Sequence, residues 1–365
     1  MTYNVGIIGC GRIVGHHCQA LSELNEFKIV AVSDLIIEKA KVYGEKFSIP
    51  YYQSYRKMLE QHPEIDLIVI ATPSGMHYEH SLEILKKYNK HIIVEKPTFM
   101  SLKQLDDAYG VADSLNLKIF PIFQNRYNLA VQRTKQAIDN KEIGEIRVVN
   151  VRVRWCRPQR YYDLSEWRGT YSHDGGALSN QGIHHIDLLR FLCGEINSVN
   201  AVMRTLGANI EVEDTVVANF CYSTQAVGSL EITTSARPRD FEASLSIVGS
   251  EGLIQIGGIA VNELQCFTPN QKICSEFSED FSESVYGNGH KKLYKSIFQS
   301  LNTGTPYLIS KDDCRKSIAL LHAFYVSDEF YNWVNVEACR ESARLGRKND
   351  MVSNLYRTTE TETLV

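Results

Sequence analysis

The strand-like run Val5–Ile8 ends in Gly9-Cys10-Gly11-Arg12-Ile13-Val14-Gly15 and passes directly into a helix-like stretch. No other feature restricts the fold as much, because a strand, a glycine turn and a helix in that order start a βαβ unit. The pattern then repeats. Strand-like runs at Ile29–Ser33, Leu67–Ala71, Ile92–Glu95 and Ile119–Phe123 alternate with helix-like stretches near 12–24, 36–46, 55–61, 77–87 and 102–115. The strands are nearly continuous in Val and Ile, as a sheet covered on both faces requires. Alternating strands and helices predict a doubly wound parallel sheet with right-handed crossovers.

Past residue 123 the pattern changes. Residues 126–141 suit a helix. After Gly144 comes IRVVNVRVRW, with Val149, Val151, Val153 and Trp155 on one face and Asn150, Arg152 and Arg154 on the other. Further strands are predicted at 197–203, 215–222, 226–235, 242–248 and 252–256, and helices at 290–301 and 311–331. This half reads as an α+β domain built on a large, mostly antiparallel sheet. The expected division is an α/β domain over 1–123, an α+β domain over 124–335, and a polar tail over 336–365, frayed at TTETETLV. A chain of 365 residues has room for two such domains.

Thirty-nine basic and 43 acidic side chains leave a net charge of −4, which argues against a general nucleic-acid binder. No apolar run approaches the ~18–20 residues of a membrane span. The first residues lack the basic start of a secretory signal, so a cytoplasmic protein is expected. The nine cysteines are scattered with no C-x-x-C pair, and read as reduced, packed thiols. Neither they nor the histidines show the clustered spacing of a zinc site, so no metal is expected.

Gly9 permits the tight turn, and Gly11 lets backbone approach a pyrophosphate at the helix N-terminus. Arg12 and Ile13 complete that loop. Val14 stands where the fingerprint has a third small residue. Asp34, which ends the second strand, is placed to accept hydrogen bonds from a ribose 2′-hydroxyl and to repel a 2′-phosphate. Leu35 and Ile36 follow it, with no arginine. The expected cofactor is NAD.

Val94-Glu95-Lys96-Pro97, Ala71-Thr72-Pro73-Ser74 with His77, and Gly175-Gly176-Ala177-Leu178-Ser179-Asn180-Gln181-Gly182-Ile183-His184-His185-Ile186-Asp187 together resemble the Gfo/Idh/MocA oxidoreductases over about residues 3–330. The resemblance implies a Rossmann domain, a C-terminal domain with an open sheet, and hydride transfer between a nicotinamide and a sugar or cyclitol carbinol. It adds Thr72, Pro73, His77, Glu95 and Lys96 to the cofactor set, and a homodimer or homotetramer. QNRYNLAVQ (124–132), WRG (167–169), GGALSNQGIHHIDLL (175–189) and YGNGH (286–290) are similar to the UDP-N-acetyl-2-amino-2-deoxyglucuronate 3-dehydrogenases. That likeness implies oxidation at C3 of the hexuronate in surface-polysaccharide synthesis, with NADH re-oxidised in place by 2-oxoglutarate.

Oxidising a secondary alcohol needs a base for the hydroxyl proton. Lys96, at the C-terminal end of a parallel strand, and His184 are the candidates, and which of them is the base stays open. Asn180, His184 and Asp187 are spaced to share one face of a helix over 180–192, capped by Ser179 or Asn180 and ended by Gly194. Asp187 is a candidate to orient His184. Asn180 stands where many family members carry aspartate and is assigned to the substrate hydroxyl. His185 points elsewhere. Arg147, Arg152, Arg154, Arg157, Arg160 and Arg168 crowd a stretch with two acids, Asp163 and Glu166, which suits an anionic substrate. Arg160 and Arg168 are preferred, with Tyr161, Tyr162 and Trp167 as stacking surfaces. Gln124 is assigned to the cofactor, and Asn125, Arg126 and His290 to the sugar. Two other readings remain: the same chemistry on a free or phosphorylated sugar or an inositol, and a catalytically silent NAD-binding protein.

Overall fold

The computed structural model describes residues 1–281, 287, 289–338 and 340–357. The chain divides into two compact units, one of Met1–Ile122, His290–Lys311 and Lys348–Val365, the other of Phe123–Gly289 and Asp312–Arg347.

In the first unit, β1 (Tyr3–Ile8), β2 (Phe27–Ser33), β3 (Tyr51–Tyr52), β4 (Leu67–Ile70), β5 (His91–Val94) and β6 (Ile119–Pro121) form one sheet in the order β3-β2-β1-β4-β5-β6. Every pairing is parallel, with Ile7 beside Val32 on one side and Val69 on the other. Helices α1 (Val14–Ser22), α2 (Ile37–Phe47), α3 (Tyr55–Gln61), α4 (His77–Glu83) and α5 (Leu102–Ser114) make the crossovers. Val5, Ile7, Ile68, Val69, Ile92, Ile93 and Val94 are fully buried, as strands covered on both faces must be. Ser54 and Ser101 cap α3 and α5 by accepting the N–H groups of Lys57 and Gln104. The strand order reverses between β1 and β4, so the carboxyl ends of these strands border the crevice where such sheets take ligands. The two-residue β3 escaped sequence reasoning because it is too short to show a period.

In the second unit, α6 (Leu129–Asp139) precedes β7 (Ile146–Arg154), and α7 (Gln159–Tyr162), α8 (Gly176–Asn180) and α9 (Ile183–Cys193) precede the other strands. These are β8 (Ile196–Arg204), β9 (Thr215–Tyr222), β10 (Val227–Thr233), β11 (Glu242–Gly249), β12 (Leu253–Gly257), β13 (Glu263–Phe267) and β14 (Val334–Asn335). The sheet runs β13-β12-β11-β7-β10-β9-β8-β14, antiparallel throughout except for β10 beside β7. The alternation read from IRVVNVRVRW holds: Val149, Val151, Val153 and Trp155 are buried, while Arg147 and Arg152 are exposed. The opposite face leaves Val202, Val217 and Val227 half exposed.

Two segments depart from the expected 124–335 and 336–365 divisions. From His290 onward, α10 (Gly289–Thr303) joins the first unit, where Tyr294 is fully buried and packs edge-on against Phe27. The helix α11 (Lys311–Phe330) returns the chain to the second unit, where Ser327 and Asp328 accept the N–H groups of Ala201 and Met203 in β8. The residues that follow are no free tail. Leu345 is buried and Arg344 donates to Asp328. The last helix, α12 (Asp350–Asn354), belongs to the first unit, where Arg357 grips both oxygens of Glu79. TTETETLV lies outside the described residues.

No helix of the described residues is long and apolar enough to cross a membrane. None of the eight described cysteines is joined in a disulfide.

Candidate active site

The first unit builds a dinucleotide cradle from its β1–α1 turn. Gly9 has φ +88°, and a Cβ there would stand 2.7 Å from the Ala71 carbonyl oxygen, so only glycine fits. A Cβ on Gly11 would meet nothing within 4 Å, which leaves its backbone open to a ligand. Tyr43 of α2 donates to the Gly11 carbonyl and holds the loop from behind. Arg12 is exposed and Ile13 partly so, and no side chain caps α1. Its first N–H groups, carrying the positive end of the helix dipole, suit a phosphate. Val14, in place of the third small residue, is fully buried. Asp34 follows β2 and is fixed by two backbone donors, Cys10 N–H at 2.7 Å and Ile36 N–H at 2.8 Å. The turn, the open glycine and this aimed carboxylate fit an NAD diphosphate and ribose.

The loops after β4 and β5 are tied together. His77 is buried, with Nδ1 2.9 Å from the Pro97 carbonyl and Nε2 3.0 Å from that of Thr72. Burial pulls its pKa down although both carbonyls push it up. A neutral ring donates to one of the two at a time. His77 thus braces the Thr72-Pro73 loop against the Lys96-Pro97 segment, where the sequence assigned it to the cofactor itself. The Thr72 hydroxyl pairs with His80, whose pKa burial and His77 lower to about 4. Lys96 is partly exposed just past β5, and its backbone N–H donates to the Glu95 carboxylate at 3.0 Å. Glu95 is itself buried among histidines rather than exposed beside Lys96. His290 lies in this same buried cluster, edge-on to His17. Tyr286 and Asn288 of the YGNGH motif lie outside the described residues.

The second unit collects the polar residues expected to hold a substrate. Gln124 and Asn125 are buried in a single 3₁₀ turn, and the Gln124 amide nitrogen lies 3.3 Å from His184 Nε2. His184 also stands edge-on to Phe123. The helix expected over 180–192 is interrupted at Gln181 and Gly182. Both their N–H groups turn back to the Ala177 carbonyl, and a Cβ on Gly182 would strike Ile232 and the Leu178 carbonyl. Gly182, not Ser179 or Asn180, is the N-cap residue of α9, while Gly194 ends the helix as expected. Asn180 donates to Asp174, whose other oxygen accepts the Gly169 N–H at 2.7 Å. A buried carboxylate thus stands beside Asn180 after all, supplied from just before the glycine pair. Sequence reasoning passed over Asp174, although an acid directly preceding Gly175-Gly176 was a readable signal.

Two assignments need correction. Arg126, placed at the sugar, is 1% exposed. Its guanidinium grips Asp187 at 2.7 and 2.6 Å, reaches Asp313 at 3.1 Å and lies over the Phe191 ring. Burial opposes its charge, and the two carboxylates overcome that and push the pKa up. It is a core cation. Asp187 is accordingly committed to Arg126 and not to orienting His184. His185 is a core histidine packed on Trp155, with burial lowering its pKa to about 4.

Half of the arginine cluster is neutralised by acids distant in sequence: Arg154 by Glu231, Arg157 by Asp240 and, more loosely, Arg152 by Glu242. Arg160 is exposed. Arg168 stacks over both Tyr161 and Trp167 and donates to the Tyr161 hydroxyl, to which Gln181 also donates.

Comparison with known proteins agrees with this layout. Residues 3–123 match the oxidoreductase family's NAD-binding Rossmann fold, and residues 131–255 match the GFO/IDH/MocA C-terminal domain. The WlbA dehydrogenase of Bordetella pertussis, solved with NADH and UDP-GlcNAcA, is 32% identical, with 92% of this chain and 97% of that one covered at a TM-score of 0.85. The WlbA dehydrogenase of Chromobacterium violaceum, solved with the same two ligands, is also 32% identical, with coverages of 93% and 97% and a TM-score of 0.84. Glucose-6-phosphate 3-dehydrogenase of Bacillus subtilis is 25% identical over 91% of this chain and 84% of its own. The chain belongs to the Gfo/Idh/MocA oxidoreductase family, and its N-terminal domain is an NAD-binding Rossmann domain.

Proposed function

We propose that the protein oxidises the C3 hydroxyl of a UDP-linked N-acetylhexosaminuronate in the cytoplasm, in the synthesis of a surface polysaccharide. The observation that carries this reading is the 32% identity, spread over nine-tenths of the chain, to two dehydrogenases solved with NADH and UDP-GlcNAcA. Bound NAD supplies the hydride acceptor, and 2-oxoglutarate is the proposed oxidant that restores it.

In this reading the O3–H proton passes to a protein base, while NAD held in the first unit's cradle would accept the C3 hydride and leave a carbonyl. His184 takes the proton, assisted by Lys96, whose charge also stabilises the developing alkoxide. Asn180, its amide fixed by Asp174, spends its remaining hydrogen-bonding capacity on the reacting hydroxyl. Asn125 and Gln124 line the sugar and nicotinamide. Arg168, already flattened between Tyr161 and Trp167, and the exposed Arg160 take the uronate or diphosphate. Gly9, Gly11, Arg12, Ile13 and Asp34 hold the dinucleotide. Pairing of copies through the sheet face that bears Val202, Val217 and Val227 gives the proposed homodimer or homotetramer.

A second reading rests on the neutralised arginines. With Arg154 and Arg157 paired internally, the free cationic surface also suits one phosphate, and glucose-6-phosphate 3-dehydrogenase is among the relatives. Free UDP separates the two, because it inhibits competitively only if a nucleotide subsite exists. Conversion of UDP-N-acetylglucosaminuronate to its 3-keto form, read by mass spectrometry, supports the first reading. Conversion of glucose 6-phosphate or an inositol alone replaces it with the second.

A further inference from the structure

Three residues far apart in sequence meet inside the first unit. His17 lies on α1, Glu95 follows β5, and His290 lies in the first turn of α10. All three are buried, at 0%, 6% and 2% exposure. His17 Nε2 stands 3.0 Å from Glu95 Oε1, His290 Nε2 stands 3.9 Å from the same oxygen, and the three donor atoms lie within 4.8 Å of one another. Among the described residues, neither ring nitrogen of His290 has a hydrogen-bond partner. Leaving a buried polar ring unsatisfied costs about 1–3 kcal/mol, which a bound ion would offset.

We propose that His17, Glu95 and His290 bind a divalent transition-metal ion of the zinc class, with the fourth position open. Two imidazoles and one carboxylate are a known donor set for such ions. Magnesium and calcium need six or more oxygens and fit poorly. Four-coordinate ions with bonds of about 2.0–2.1 Å place their donors roughly 3.3 Å apart, and the 3.0 and 3.9 Å separations bracket that value.

The surroundings are already those of a ligand set. His17 Nδ1 is 2.8 Å from the Tyr294 hydroxyl, one turn along α10 from His290, so the ring is oriented from behind. Glu95 Oε2 accepts the Lys96 N–H, which leaves Oε1 for the ion. With His17 Nε2 on the ion, Nδ1 is left to donate to the Tyr294 hydroxyl. Clustered spacing could not reveal the site, because its ligands come from three separate elements.

The inference is independent of the substrate. The full chain, prepared without a histidine tag and stripped with EDTA, is titrated with CoCl₂ and followed by visible absorption. ZnCl₂ is titrated in parallel with elemental analysis and thermal unfolding, and MgCl₂ is the control. The expected result is one ion per chain, cobalt bands without a thiolate charge-transfer band, and a rise of several degrees in Tm with zinc but not magnesium. His290→Gln and Glu95→Gln weaken uptake by about tenfold or more. His91→Gln, outside the cluster, leaves it unchanged. No stoichiometric uptake by the wild-type chain, a thiolate band, or uptake unaffected by both cluster substitutions overturns the proposal, and the wild-type titration decides even if a variant fails to fold.

Discussion

Arg126 and Asp187 form a two-pronged ion pair, Nε to Oδ2 at 2.7 Å and Nη2 to Oδ1 at 2.6 Å, with both side chains 1% exposed. Breaking such a pair from one side leaves the Asp187 carboxylate as an uncompensated buried charge, and Asp313 loses its contact with the guanidinium as well. Arg126→Met should therefore destabilise the protein by about 3–5 kcal/mol in urea unfolding. A loss below about 1 kcal/mol, the range of surface pairs, would show that Arg126 is not the core cation described.

Asp34 is fixed by the N–H groups of Cys10 and Ile36, and its carboxylate is proposed to take the ribose hydroxyls. Hydrogen bonds to a charged group contribute about 1.5–3 kcal/mol, so Asp34→Ala should raise the NAD Kd by about tenfold or more. NADP affinity should fall less or improve, because the repelling charge is gone. Equal losses for both dinucleotides would contradict the assignment.

Lys96 and His184 are proposed to act on one proton transfer. Lys96→Met and His184→Asn should each lower kcat by about 10²–10⁴-fold with NAD affinity retained. The double variant should fall little further, since groups that act as a unit are not additive. Fully multiplicative losses would mean that the two serve separate steps.

Glu213 is buried behind the glycine pair, and burial raises its pKa to about 8 despite hydrogen bonds from Tyr325 and Leu178. Tyr325 has one proton for two acceptors, Gly175 O and Glu213, and a proton on Glu213 completes the chain. The folded carboxyl keeps its proton up to about pH 8, while the unfolded one releases it near 4.5. Between these values the native state binds more protons, so stability falls as pH rises, by a few kcal/mol in all. Glu213→Gln should flatten that decline in Tm between pH 5 and 8. Parallel curves for the two proteins would refute it.

The parallel sheet was legible in the sequence because its strands are buried on both faces and announce themselves as Val/Ile runs. The short strands β3 and β14 were not, being too brief for a period, and β13, though Pro269 and Asn270 follow it, offers only the five residues ELQCF. At the site, Gly9, Gly11 and Asp34 were readable because backbone geometry dictates the residue type. Arg126 and the arginines at 152–157 misled, because their partners Asp187, Asp313, Glu231 and Asp240 come from distant segments, and a local charge count cannot see them. His17 and Tyr294 went unnoticed for the same reason.

The account stands most directly on substrate identity. The purified protein is incubated with NAD, 2-oxoglutarate and UDP-N-acetylglucosaminuronate, and the nucleotide sugar is weighed by mass spectrometry. The account predicts a product lighter by two hydrogens, oxidised at C3 and suppressed by free UDP. An unchanged UDP-sugar alongside oxidation of glucose 6-phosphate or an inositol would contradict it.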